Sequence, residues 1–231
     1  MLIVLFSLLA LGFFYWFVLR RWFLRWGATA AEVAEPAGGT LSGVNYSATL
    51  AITIAATPDL VWPWLAQIGY RRGGLYSYDW LDRLFGYLDS PSTNEILPEF
   101  QELRVGDEIP IGRAGGFPVR AVERNRVLPL GGGSEGLEWL WEFRLSPIDG
   151  RTRLVSRSRG RTRSTLRSWL FMRLMEPAAF LMTRRMLVGL KYRAERLARD
   201  VAARSTRAAS PQSLESSHGL RAEQLHGGRL T

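Results

Sequence analysis

The chain has 231 residues, 47% of them hydrophobic and 22% charged, with no cysteine and two histidines. That suffices for one domain with a sizeable core or two small ones, and it excludes disulfides, cysteine nucleophiles and thiolate metal sites. The formal charge of +9 is uneven: residues 27–143 hold 8 Arg against 15 acids, whereas residues 144–231 hold 18 Arg and Lys191 against 6. The basic C-terminal part fits an anionic membrane surface, and a genome that prefers arginine accounts for the same counts; no nucleic-acid partner is expected.

The first 19 residues, MLIVLFSLLALGFFYWFVL, carry no charged side chain. As a helix they reach roughly 28 Å, close to the thickness of a bilayer core. Tyr15, Trp16, Trp22 and Trp26 fit an aromatic belt at one interface. Arg20, Arg21 and Arg25 follow the apolar run, whereas a cleaved signal peptide wants its positive charge before it. Residues 1–26 are therefore expected to be a single transmembrane anchor in the inner membrane, although Ala28-Thr29-Ala30 resembles a cleavage site. The flanking arginines place the rest of the chain on the cytoplasmic side.

Residues 27–48 are small and rich in Gly, Pro and Ser, and read as a linker. Residues 49–203 form the folded block, and residues 204–231 are expected to be a disordered tail. Within the block, Thr49–Ala55 alternates as a strand. Thr57-Pro58 opens a helix whose apolar spacing runs through Trp64 and Leu65 to Ile68. The stretch GGLYSYDWLDRLFGYLD at 73–89 follows, with Ser77 expected to cap a short helix over Asp79–Phe85. About five antiparallel strands come next, including Arg126–Leu130, Gly136–Leu145 and Arg151–Gly160, the last two joined by a turn at Pro147–Gly150. The block closes with a helical piece near Trp169–Met175, a break at Pro177, and a long helix to Ala203. Its inward stripe is expected to hold Ala178, Leu181, Met182, Met186, Gly189, Leu190 and Leu197. One curved antiparallel sheet needs a cover on one face, and only the last helix is large enough.

This α+β order, with the stretches TPDLVWPWLAQIG, RGGLYSYDWLDRLFG, ILPEFQELRVGDEIPIG and MLVGLKYRAERL, resembles the START-like (SRPBCC) superfamily of helix-grip proteins, in a bacterial subgroup some of whose members carry membrane segments. The resemblance covers roughly residues 49–200. It implies a curved sheet wrapped around a long C-terminal helix, with a deep apolar cavity for lipids, polyketides or other hydrophobic ligands. It does not imply one activity, since such folds host binders and enzymes alike.

The residues themselves carry little catalytic signal. Gly132-Gly133-Ser134-Glu135-Gly136 fits a nucleophile elbow, but a strand follows it where a helix is required, and both histidines, His218 and His226, lie in the tail. No metal-ligand spacing occurs, and no cofactor is expected. Asp79 is a weak acid/base candidate because it sits among the aromatics of SYDW. In strand Gly136–Leu145, Trp139 and Trp141 share a face with Phe143. In the next strand Ser156 and Ser158 share one face, and Arg157, Arg159 and Arg161 the other. A pocket with an aromatic floor and a few hydroxyls suits a mostly apolar ligand with a small polar group. The expected contacts are Trp64, Tyr76, Tyr78, Trp80, Phe85, Trp139, Trp141, Ser156, Met182 and Met186, with Gly73 and Gly74 as a hinge for the roof. A filled core with no cavity fits the same pattern. The arginine row is expected either to meet anionic headgroups or to be a solvated strand face.

Overall fold

The computed structural model describes residues 1–36, 41–113, 115–134, 136–162 and 165–208. A long apolar helix, α1 (Leu2–Phe23), passes through one π-helical turn at Tyr15–Leu19. A short α2 (Ala30–Ala34) follows, then strand β1 (Tyr46–Ile54), helices α3 (Pro58–Ala66) and α4 (Asp79–Leu84), and a two-stranded ribbon, β2 (Glu108–Gly112) and β3 (Gly115–Pro118). Strands β4 (Val127–Ser134), β5 (Leu137–Ile148) and β6 (Arg151–Thr162) come next, and α5 (Leu166–Ala208) closes the order. Residues 209–231, with His218 and His226, lie outside the described residues.

The sheet has four antiparallel strands in the order β1-β6-β5-β4. Its spine is the hairpin of β5 and β6, which pair from Leu137↔Thr162 to Ile148↔Arg151. Asp149 and Gly150 close it with φ of 48° and 73°, the double left-handed turn whose twist matches that of paired strands. The ribbon is a separate sheet and not a fifth strand; Val119, just after it, bridges Leu130 of β4, and Arg120 N–H donates to the Pro129 carbonyl at 2.9 Å.

The concave face is gripped as the sequence order implies. Leu128, Leu130, Phe143 and Leu154 from the sheet pack with Val61 and Leu65 of α3 and with Leu187, Leu190 and Ala194 of α5, all buried. The architecture is thus α+β: a curved antiparallel sheet around a long C-terminal helix. Two expectations about that helix are corrected. It runs unbroken through Pro177, because a proline removes one backbone bond and side-chain contacts hold both flanks. Glu176 and Phe180, on either side, are both buried. Leu181 points outward, at 48% exposure, while Met186, Gly189 and Leu190 make the inner stripe.

The segment expected to be a linker is docked for much of its length. Leu24 and Trp26 accept backbone hydrogen bonds from Thr49 and Ala51 at 2.8 and 3.0 Å and so cover the free edge of β1. At Gly27 a Cβ would lie 2.1 Å from the Ala51 carbonyl oxygen, and φ is +70°, so only glycine fits there. Helix α2 then lies over the outer face of the sheet, started by a reciprocal capping box between Thr29 and Glu32.

That docking decides the fate of the arginine row. Arg153 donates to both carboxylate oxygens of Glu32 at 2.8 and 2.9 Å and to the Gly27 carbonyl at 2.6 Å. The Arg153 bond, against a smaller opposing effect of burial, draws the Glu32 carboxyl down to about 2. Arg157 is only 1% exposed; it bonds the Glu32 carbonyl, Glu35 and the buried Glu142. Arg159 reaches the Glu35 carbonyl, and Arg161 pairs with Glu138. The expectation that Arg157 meets headgroups is therefore corrected: it clamps the segment after α1. A buried guanidinium must be paired, and of its two acid partners Glu142 lies on the neighbouring strand while Glu35 lies more than a hundred residues upstream.

Candidate functional site

A cavity of about 610 Å³ opens between the sheet and the front half of α5. Its sheet wall is built by Tyr46, Trp139, Trp141 and Ser158, with bare backbone from Gly132 and Gly133. Trp139 stacks on Tyr46 with ring centroids 5.0 Å apart. It can do so because its cross-strand partner is Gly160, where a Cβ would lie 2.6 Å from the indole ring. The helix wall is Phe171, Met172, Met175, Ala178, Ala179, Met182, Thr183 and Met186. Leu75, Ser77, Phe85 and Tyr87 close a third side, and Ile111 and Phe117 of the ribbon a fourth. The space exists because, apart from Phe171 at one end, the helix wall is built of alanine, threonine and flexible methionine.

The stretch at 73–89 divides its aromatics between three environments. Trp64 and Tyr76, both buried, meet edge to face at 6.2 Å in the core and do not line the cavity. Tyr76 adopts φ of +56°, and Gly189 of α5 presses on it: a Cβ there would lie 2.2 Å from the Tyr76 carbonyl oxygen. The Arg193 guanidinium covers the Tyr76 ring at 4.6 Å. Burial holds the Tyr76 phenol far above its ordinary pKa, against weaker opposing effects of Gln67, Arg193 and Arg72. Tyr78 precedes α4 and carries Arg185 over its ring, and Trp80 is 67% exposed. Of the expected contacts in this stretch only Phe85 reaches the cavity, where Tyr87, Leu75 and Ser77 join it. Gly73 and Gly74 form a packed joint. A Cβ on Gly73 would meet the Tyr76 hydroxyl at 2.4 Å, and one on Gly74 would meet Ser92 Oγ at 2.6 Å. Buried Gln67 ties the same joint to Glu95 and Leu97 with hydrogen bonds of 3.0 and 2.9 Å.

Further along, Trp139, Trp141, Met182 and Met186 line the cavity. Ser156 does not; its Oγ accepts the Trp141 indole N–H at 2.8 Å, which orients that ring. Asp79 accepts Ser92 N–H and O–H bonds at 3.3 and 2.8 Å, an arrangement that holds the loop. The carboxyl that composition did not single out is Asp82. It is fully buried, and Ser77 Oγ, at the cavity wall, lies 2.9 and 3.0 Å from its two oxygens. Burial, opposed by the Ser77 bond and reinforced by the Asp79 charge, lifts it to about 6. Tyr46 is pushed up to about 12 by burial and by the Glu176 charge, so its phenol stays protonated. Glu176 is itself buried in the cavity wall, held by Arg20 Nε at 2.7 Å and by Arg173. Among the described residues no three His, Cys, Asp or Glu side chains converge as metal ligands.

Ser134 ends β4 and pairs with Leu137 of β5, so the next element after the serine is a strand and not a helix. The site is an apolar cavity with hydroxyls at its walls. Its frame is that of a helix-grip protein. The sequence matches no protein-family model and no curated protein. Solved structures similar to it include a protein of Mesorhizobium loti, 18% identical, over 65% of this chain and 98% of that one with a TM-score of 0.40. Another is the Zhui aromatase/cyclase of Streptomyces sp. R1128, 21% identical over 65% and 94% with a TM-score of 0.38. A protein of Chromobacterium violaceum aligns over 64% and 96% at 13% identity and a TM-score of 0.38.

Proposed function

We propose that this chain is a membrane-anchored receptor, carrier or sensor for a hydrophobic small molecule or lipid, bound in the cavity between Trp139 and α5. The observation that carries the reading is the cavity itself, about 610 Å³ with aromatic, methionine and aliphatic walls. That size and lining are those of small-molecule pockets, in which a few polar groups fix the ligand's orientation. Here those groups are the protonated phenol of Tyr46 and the hydroxyls of Ser158 and Thr183. A neutral ligand with one or two acceptors satisfies them. Among the described residues one helix, Leu2–Phe23, is long and apolar enough to cross a membrane, with a mean hydropathy of 2.5. In this reading it is the anchor, and the arginines after it keep the domain on the cytoplasmic face.

The experiment is native mass spectrometry of the full chain released from detergent, followed by organic extraction of what co-purifies. A stoichiometric lipid-like adduct is expected, and Ala178→Trp, which fills the cavity, should abolish it. A bare wild-type chain that also takes up none of a panel of fluorescent lipids would overturn the reading. One observation favours an enzymatic variant acting on a hydrophobic substrate, as a cyclase or dehydratase does: the buried Asp82 carboxyl bonded to Ser77 at the cavity wall. A carboxyl lifted toward neutrality is suited to proton transfer. Turnover lost in Asp82→Asn with ligand binding retained would assign that role.

A further inference from the structure

The front of α5 presents three faces, of which two are covered by other parts of the protein and the third is apolar and bare. At about 100° per residue, Trp169, Arg173, Glu176 and Phe180 fall on one face. That face meets α1: the Trp16 ring lies 6.3 Å from Trp169, Arg20 bonds Glu176, and Phe23 stacks on Phe180 at 4.7 Å. Met172 and Met175 fall on a second face, toward the cavity. Leu166, Leu170, Phe171 and Leu174 fall on the third. They are 80%, 60%, 60% and 69% exposed.

The contacts with α1 run in parallel order, 16 with 169, 20 with 176, 23 with 180. The front turns of α5 therefore lie beside the C-terminal end of the apolar span, and α1 continues beyond them. This is the depth at which a spanning helix meets the headgroups, marked here by Trp16 and Trp22 and by the exposed Arg21 and Arg25. Of the cations on this stretch Arg167 is exposed, whereas Arg173 pairs with Glu176. A bare leucine face beside the exposed Arg167, Arg21 and Arg25 and continuous with a membrane span matches an interfacial helix.

We infer that the front of α5, Leu166–Leu174, is a second membrane contact, seated in the anionic lipid interface beside α1. This rests on the anchored reading proposed above. It also fixes how the cavity faces. Phe171 and Phe85 line the cavity and are 60% and 46% exposed, so they border its mouth. With Phe171 at the bilayer the mouth opens onto lipid, and an apolar ligand passes between membrane and cavity without crossing water.

The test uses the full chain in vesicles of phosphatidylcholine with phosphatidylglycerol. The sequence has no cysteine, so Leu9→Cys, Leu170→Cys, Leu174→Cys and Glu123→Cys each carry one environment-sensitive fluorophore without further change. Lipids bearing a nitroxide at a shallow or a deep acyl position act as quenchers. A contact buried about 5–10 Å below the headgroups predicts that shallow nitroxide removes about half of the emission at 170 and 174. Leu9 should respond to deep nitroxide, and Glu123 to neither. If Leu9 is quenched while 170 and 174 stay water-exposed, the inference falls and the anchor stands. Emission at 170 that is blue-shifted yet unquenched means that protein covers the face, through a second copy or a partner, and also overturns it. An unquenched Leu9 removes the anchored reading and this inference with it.

Discussion

Asp82 offers the most direct check on the physics of the cavity wall. Its carboxyl is fully buried, with Ser77 as hydrogen-bond donor and Asp79 nearby, and it titrates at about 6 against 3.8 for the free side chain. The folded state therefore binds the proton more tightly than the unfolded chain. Below about pH 4 both states are protonated and the site costs nothing. As pH rises through the interval up to about 6 the unfolded state ionises first, and stability is lost. A shift of this size corresponds to at most about 3 kcal/mol. We expect about 1–2 kcal/mol, because Ser77 borders the cavity and water there screens the charge. Asp82→Asn keeps an acceptor for Ser77 and removes the charge. It should melt about 2–8 °C higher than wild type at pH 7.5 and level with it at pH 4. Thermal melts of both proteins in the same detergent at five pH values measure the difference. A gap that does not change with pH, or that widens toward acid, would refute the assignment.

The remaining predictions address packing, the anchor contact and the ligand. Gly189→Ala drives a Cβ against the Tyr76 backbone and should cost about 1–3 kcal/mol, read as a lowered denaturation midpoint. Glu176→Ala leaves Arg20 and Arg173 facing a buried, unpaired position; a loss of about 3–5 kcal/mol is expected, with limited proteolysis now cutting between α1 and β1. Trp139→Ala should weaken uptake of a fluorescent lipid at least about tenfold while lowering stability by less than a Phe143→Ala control, since a cavity-wall indole has lipid to lose and a core ring has packing to lose.

Much of the fold is legible in local patterning. The apolar run of α1, the alternation along β5, the Asp149-Gly150 turn and the helical spacing around Met186 each depend on residues within a turn or two. Trp139, Trp141, Met182 and Met186 could be placed at the cavity because strand period and helix stripe both point the same way. Tyr76 and Trp64 read identically to cavity residues, since a core aromatic and a pocket aromatic have the same composition. What separates them is Gly189, more than a hundred positions downstream, whose missing side chain lets α5 sit on Tyr76.

Sequence by itself determined most of the order of strands and helices, the apolar run over Leu2–Phe23 and the absence of thiol chemistry. These follow from periodicity and composition, which are short-range properties of the chain. The tertiary structure alone decided that Arg153, Arg157 and Arg159 of β6 clamp residues 27–35 and that Asp82 rather than Asp79 is the carboxyl bonded to Ser77 at the cavity wall. It also decided that the front of α5 bares a leucine face beside α1. Each depends on which distant segment covers a side chain, because burial sets the cost of a charge and exposure sets the use of a hydrophobe.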